Sequence, residues 1–246
     1  HPSAGGVDVT LLRIAHLYPG EMNIYGDTGN VIALSRRIEW RGWEAVIDRI
    51  PVGEPYDFTA ADLVVAGGGE DLSQLQVAGD LQHRAGAIHE AVGAGTVFLT
   101  ICGTYQLFGH RFVTHTGDEI PGIGVFDLET LGGSKRMIGN IVLDTPWGTL
   151  VGFENHSGRT FLAGGQQPLG TVRKGHGNNE KTSDEGAVTR NAFGSYLHGS
   201  LLPKNPGFAD ELILRAVRTR YGPVDGLEPL DDDLEMQAAR AAAKRP

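Results

Sequence analysis

An α/β fold built on a mostly parallel central sheet is the architecture this sequence predicts, and three observations predict it. Short apolar runs at Val9–His16, Trp43–Arg49, Asp62–Ala66 and Val97–Ile101 read as strands buried on both faces. Segments with apolar residues at helical spacing lie between them, so strand and helix alternate. After residue 120 the texture changes to short, glycine-rich β pieces, which predict a mixed or antiparallel extension of the sheet.

The chain justifies each element in turn. Val9–His16 is followed by a polar, glycine-rich loop, Tyr18–Gly29, and then by a helix with Val31, Leu34 and Ile38 on one face, ending near Arg41-Gly42. Two strands, Trp43–Arg49 and Asp62–Ala66, flank a loop carrying Pro51 and Pro55. Gly67-Gly68-Gly69 follows directly. Three glycines allow either a tight turn or close approach of the backbone to a ligand, but their spacing is neither a dinucleotide fingerprint nor a phosphate-binding loop. Leu81, Ala85, Ile88 and Val92 mark a second helix. Beyond residue 120, Gly124–Leu131, Ile138–Asp144, Thr149–Glu154, Leu169–Arg173 and Gly186–Thr189 read as strands, and the segment between Gly164 and Glu185, rich in Gly, Asn, Gln and Lys, reads as an exposed excursion. Phe193–His198 is a further apolar piece, and a helix begins at Pro206 with Ala209, Leu212, Ile213, Ala216 and Val217 on its inner face. The expected organisation is a leader at 1–8, one domain at 9–222 and a tail at 223–246 that suits a terminal helix or a docking arm.

The stretch that carries chemistry is Thr96–Gly109. Val97–Ile101 runs straight into Cys102, the single cysteine of the chain, and Gly103–Gly109 reads as a short helix. A strand, a sharp turn and a helix would hold the cysteine above the sheet, with free N–H groups of the helix start facing a developing oxyanion and favouring thiolate. An inert buried thiol can also sit beside an apolar strand. The glycine that follows Cys102 and the strand-to-helix setting argue for a nucleophile instead. In an open parallel sheet the glycine triplet and Cys102 should face one another, as an oxyanion hole requires.

Composition narrows the rest. With 40% hydrophobic and 21% charged residues the chain has the make-up of a globular protein. A net charge of −9 without a Lys/Arg cluster argues against a general nucleic-acid binder. One cysteine excludes an internal disulfide or a cysteine-based zinc cluster, which makes the cytoplasm the expected compartment. No run approaches the ~20 apolar residues of a membrane span, and no secretory signal is evident. A cysteine nucleophile needs a base; His110, His115, His156 and His198 lie in loops or at strand ends after it, and His198 leads because a strand-like approach and a glycine flank it, with His156 second.

The glycine triplet, the elbow Ile101-Cys102-Gly103-Thr104-Tyr105-Gln106 and the late Tyr196-Leu197-His198-Gly199 resemble a class I glutamine amidotransferase domain of the cobyric acid synthase-like branch. Within it, Gly133-Ser134-Lys135-Arg136-Met137 and Phe153-Glu154-Asn155-His156 are similar to the GatD family of glutaminase subunits, which work with a MurT-like Mur ligase-family synthetase; the resemblance spans Leu12 to Tyr221. It implies that Cys102 attacks the carboxamide of L-glutamine and His198 exchanges the proton. Gly68 or Gly69 and Gly103 would supply the oxyanion hole, Arg136 would bind the substrate α-carboxylate, and Gln106 would help place the amide. Where many class I enzymes carry a glutamate two residues after the histidine, this chain has Ser200. The resemblance therefore implies a carboxylate from the partner, and a heterodimer that passes ammonia to it. The expected reaction is amidation of the D-glutamate α-carboxyl of the lipid II stem peptide, a step of peptidoglycan synthesis, at the inner face of the membrane. ATP and Mg²⁺ are expected on the partner, with no cofactor or metal in this chain. The alternatives are a cobyrinate- or cobyrate-type amidotransferase domain and a catalytically silent scaffold that only binds a partner.

Overall fold

The computed structural model describes residues 8–23, 26–69 and 71–244. The predicted leader lies outside them except for Asp8. The first half alternates as expected: β1 (Leu11–Leu17), α1 (Thr28–Glu39), β2 (Glu44–Ile50), β3 (Leu63–Ala66), α2 (Asp71–Ala94), β4 (Val97–Ile101) and α3 (Gly103–Leu107). The second half comprises β5 (Arg111–Val113), β6 (Glu119–Pro121), β7 (Leu128–Thr145), β8 (Gly148–Leu162), β9 (Gly170–Lys174), β10 (Asp184–Glu185), β11 (Ala187–Thr189), β12 (Ala192–Ser195), α4 (Pro206–Tyr221) and α5 (Asp233–Lys244).

The central sheet has the order β11-β12-β4-β3-β1-β2, parallel throughout except for β11 at its edge. Alternation along its strands explains why they are apolar throughout. Leu63 and Val65 join a core under α1 and α4, whereas Val64 and Ala66 join a second core under α2 and α3. Helix α1 buries Val31, Leu34 and Ile38, and α4 buries Ala209, Leu212, Ile213, Ala216 and Val217, the positions their spacing selected.

The later strands depart from expectation. Only the predicted Gly186–Thr189 piece, β11, extends the first sheet antiparallel as expected, whereas the other predicted pieces lie in a second sheet, ordered β10-β9-β7-β5-β6 with β8 on β7. Gly124–Leu131 and Ile138–Asp144 are largely one strand, β7, interrupted by a register shift between Gly132 and Met137 where the sequence reads as a loop. β5 and β6 are three residues each, too short for periodicity to show. The Gly164–Glu185 excursion is partly internal, because Asn178, Asn179 and Glu185 are buried. Asn178 accounts for this by accepting hydrogen bonds from the Tyr105 hydroxyl at 3.0 Å and the Gly186 N–H at 3.0 Å. The tail ends in a helix, α5, with no buried residue. Among the described residues no helix is long and apolar enough to cross a membrane.

The sheet's β12 side is secured by Phe193, fully buried and packed edge-on against Trp147 and Phe208 with ring centroids 5.5 Å apart in both pairs. Truncation there leaves a cavity that the parallel strands cannot collapse into. Phe193→Ala is expected to cost about 3–5 kcal/mol. Urea denaturation checks this, and a loss below about 1 kcal/mol would contradict the packing account.

Candidate active site

Because β1, β3, β4 and β12 run parallel, their loops leave one edge of the sheet, after Leu17, Ala66, Ile101 and Ser195. That is the edge where open α/β sheets hold ligands. The β4 loop presents Cys102, half-buried, at φ 51° and ψ −104°. A non-glycine residue in that region is strained, which is the mark of an elbow that lifts its side chain off the sheet. The strain is held by neighbours. The Cys102 N–H donates to Ser195 O at 2.8 Å, and the buried Thr104 hydroxyl lies 3.0 Å from Ala66 O and 2.9 Å from Gly67 O, pinning the elbow to the glycine loop.

Close approach, and not only turning, explains the glycines. A Cβ on Gly67 would strike the Met22 carbonyl, and one on Gly68 would lie 2.9 Å from His198 Cε1 and 3.0 Å from Cys102 Cβ. Gly68, Cys102 and His198 therefore meet as expected. Gly103 begins α3 beside them, where the first N–H groups of a helix lack internal acceptors, and Gly69 follows in the same loop.

His198 is fully buried and joined to β8 by a backbone bridge, its N–H donating to Phe153 O at 2.7 Å. Burial pulls the imidazole down, but the charge of Cys102 and the carboxylate of Asp27 outweigh it and push it up to about 10. At neutral pH the imidazole therefore holds its proton, and its positive charge faces the nucleophile.

Asp27 is the residue that sequence reasoning missed. It is buried, its Oδ2 accepts the Gly68 N–H at 2.8 Å, and its Oδ1 stands 3.7 Å from His198 Nδ1. That second distance is an ion-pair separation, longer than a hydrogen bond. Ser200, at the position where a glutamate was sought, donates its hydroxyl to Gly26 O at 2.7 Å.

Around this centre runs a buried polar layer. Gln106 donates to the Tyr196 hydroxyl at 3.0 Å and accepts from Gln74 at 2.9 Å, so it holds the histidine strand from below and does not touch Cys102 through a hydrogen bond. Tyr196 bonds Thr160 at 2.6 Å and stacks on His156 at 3.5 Å, with the rings nearly parallel. His156, lowered chiefly by burial, points Nδ1 at Gly158 O. Glu154, fully buried, accepts from the His176 and Gly177 N–H groups and from the His176 ring. Glu185 accepts the Tyr196 N–H at 2.7 Å. His110 and His115 are exposed and remote from this layer, His110 pairing with Asp127.

Arg136 is exposed and comes from the irregular segment of β7. Its guanidinium donates to Asn155 Oδ1 at 2.9 Å and Asn155 O at 3.1 Å, so the two family-like motifs, at 133–137 and 153–156, are physically joined.

A sequence profile of the CobB/CobQ-like glutamine amidotransferase domain matches residues 13–206. The chain belongs to that family. The amidotransferase is 38% identical over 231 residues to the lipid II isoglutaminyl synthase (glutamine-hydrolysing) subunit GatD of Streptococcus pneumoniae, covering 93% of this chain and 89% of the relative. It is 37% identical to the subunit of the same name from Staphylococcus aureus, covering 95% and 96%. A solved glutamine amidotransferase structure superposes with a TM-score of 0.56 at 14% identity, covering 82% of this chain and 98% of its own, which shows a shared fold.

Glu185 makes one feature of this layer measurable. Burial pushes its carboxyl up to about 8 from an ordinary 4.5, against the Tyr196 N–H and Ser195 hydroxyl that favour the charged form. A carboxyl raised on folding stabilises the fold most at low pH, and that contribution is lost as the unfolded chain ionises and pH climbs to about 8. Glu185→Gln is expected to melt close to the parent at pH 5 and above it at pH 9. Melting curves that stay parallel across that range would contradict a neutral Glu185.

Proposed function

We propose that the amidotransferase is the glutaminase subunit of a two-subunit lipid II isoglutaminyl synthase. The reading rests on one observation above all: the similarity to the two GatD subunits runs along nearly the whole of both chains. The resemblance of the motifs that carry Cys102, His198 and Arg136 to that family's supports the same reading.

In this reaction the Cys102 thiolate attacks the carboxamide carbon of L-glutamine, forming a C–S bond and an oxyanion that the N–H of Gly103 and one from the glycine loop receive. The His198 imidazolium gives its proton to the departing nitrogen, the C–N bond breaks and ammonia leaves. Neutral His198 then takes a proton from water, hydroxide adds to the thioester, and glutamate and the thiolate are released. Gly69 is the better loop donor, since the Gly68 N–H is committed to Asp27. Arg136, already aimed by Asn155, is suited to hold the α-carboxylate of glutamine through a bidentate pair. Ammonia passes to a MurT-like ligase that binds ATP and Mg²⁺ and amidates the D-glutamate α-carboxyl of the lipid II stem at the inner membrane face.

Glutamate release from glutamine tests this, measured for the chain alone and with a co-expressed MurT-like ligase. Turnover should rise with the partner, vanish in Cys102→Ser, and show a raised KM in Arg136→Ala. No glutamine consumption in either state would remove the glutaminase reading in favour of a silent scaffold.

A further inference from the structure

We infer that Gln74 is a positioning residue for the oxyanion hole, fixing the separation of its two halves, the glycine loop and the start of α3. The inference rests on the reading of Cys102 as a nucleophile that adds to a carbonyl group.

Gln74 lies in the first turn of α2, at the head of an inward stripe that continues with Val77, Ala78 and Leu81. That spacing calls for an apolar side chain, and an amide 4% exposed is costly there unless it is bonded. Its Nε2 donates to Gln106 Oε1, on α3, at 2.9 Å. Gln106 is equally buried and continues the line by donating to the Tyr196 hydroxyl. The Gln74 amide also lies against Gly103. A Cβ on that residue would stand 2.6 Å from Gln74 Nε2 and 3.2 Å from Gln74 Cδ, with Met22 Cε at 3.1 Å. Gly103 follows the nucleophile, and its N–H is one of the two donors a developing oxyanion would meet.

The other donor belongs to the connection that runs from β3 to α2, and Gln74 stands at the far end of that connection. Two side-chain links tie it to the elbow. At the β3 end the Thr104 hydroxyl lies 3.0 Å from Ala66 O and 2.9 Å from Gly67 O, and at the α2 end Gln74 bonds Gln106. Thr104 and Gln106 both belong to α3, so one helix of five residues holds the loop at both ends. Without the second link the loop would hang from Ala66 and Gly67 alone, and the glycines that follow offer little resistance to backbone rotation. Oxyanion donors work because they are already aimed, about 2.7–3.1 Å from the place where charge develops. Gln74 is thus neither donor nor base; it sets the spacing that both donors need.

Two reagents that meet the same sulfur separate this role from a general structural one. With p-nitrophenyl acetate the Cys102 thiolate adds to the carbonyl and an oxyanion forms. The ester C–O bond then breaks, p-nitrophenolate leaves, and the acetyl group stays on sulfur as a thioester. With iodoacetamide the thiolate displaces iodide from a saturated carbon and no oxyanion arises. Thiolate supply cancels in the ratio of the two rates, with Cys102→Ser as the blank. Gln74→Met keeps the bulk against Gly103 and removes the link. Its ratio of acylation to alkylation is expected to fall about tenfold or more, short of the roughly 10²–10³-fold that loss of an oxyanion donor costs, while alkylation stays within about twofold of the parent. Should that variant fail to fold, Gln74→Asn, one methylene too short to reach Gln106, takes its place with the same expected fall. A residue that only stabilised the fold would change both rates together. An unchanged ratio, or a parent chain that shows no Cys102-dependent nitrophenolate release, overturns the proposal. Neither reagent is glutamine, so a parent chain that consumes no glutamine while its Gln74 variants lose the ratio would count against the glutaminase reading and not against this one.

Discussion

The structure depends on the parallel pairing of β12 with β4. Ile101 lies opposite Ser195 in that ladder, and the next amide, that of Cys102, donates to the Ser195 carbonyl. The nucleophile and the start of the segment bearing His198 are thus fixed by a backbone register, which side-chain packing alone would hold less closely. A slip of one residue would turn every side chain of β12 to the opposite face, which the two cores on either side of the sheet forbid.

What the register brings together, buried polar groups hold in place. Tyr196 is tied by Gln106 and Thr160 and stacked on His156, while Glu185 takes its N–H. Unsatisfied, each of these groups would cost about 1–3 kcal/mol in such a setting; bonded to one another, they define one arrangement for the strand that precedes the histidine. The second sheet contributes through β8, whose Phe153 bridges His198 and whose Asn155 aims Arg136. One strand therefore connects the reacting pair to the residue proposed for recognising glutamine.

Much of this was legible in the residues. The elbow, the glycine loop and the Tyr196–Gly199 element announce themselves because each depends on local backbone geometry, and a glycine or a strand-to-helix transition leaves a visible mark. Asp27 left none, since an aspartate before a helix looks like an ordinary cap and its real partners are Gly68 and His198, far along the chain. Glu185 and His176 were hidden for a similar reason, lying in a polar, glycine-rich stretch whose burial is decided by long-range partners. Apolar periodicity located the strands but not their pairing, so it could not tell a second sheet from an extension of the first. Gly132 and Gly133, which mark a register irregularity inside β7, read as a break between two strands.

The account's central claim is that Cys102 sits in a glutamine-binding active centre with His198 as its base. Its most direct test is incubation of the chain with a thiol-reactive glutamine analogue, followed by peptide mass spectrometry. A single adduct on Cys102, formed faster than with a non-amino-acid alkylator of equal reactivity and suppressed by excess L-glutamine, is the predicted result. Labelling at the same rate whether or not glutamine is present, or no adduct at all, would contradict it.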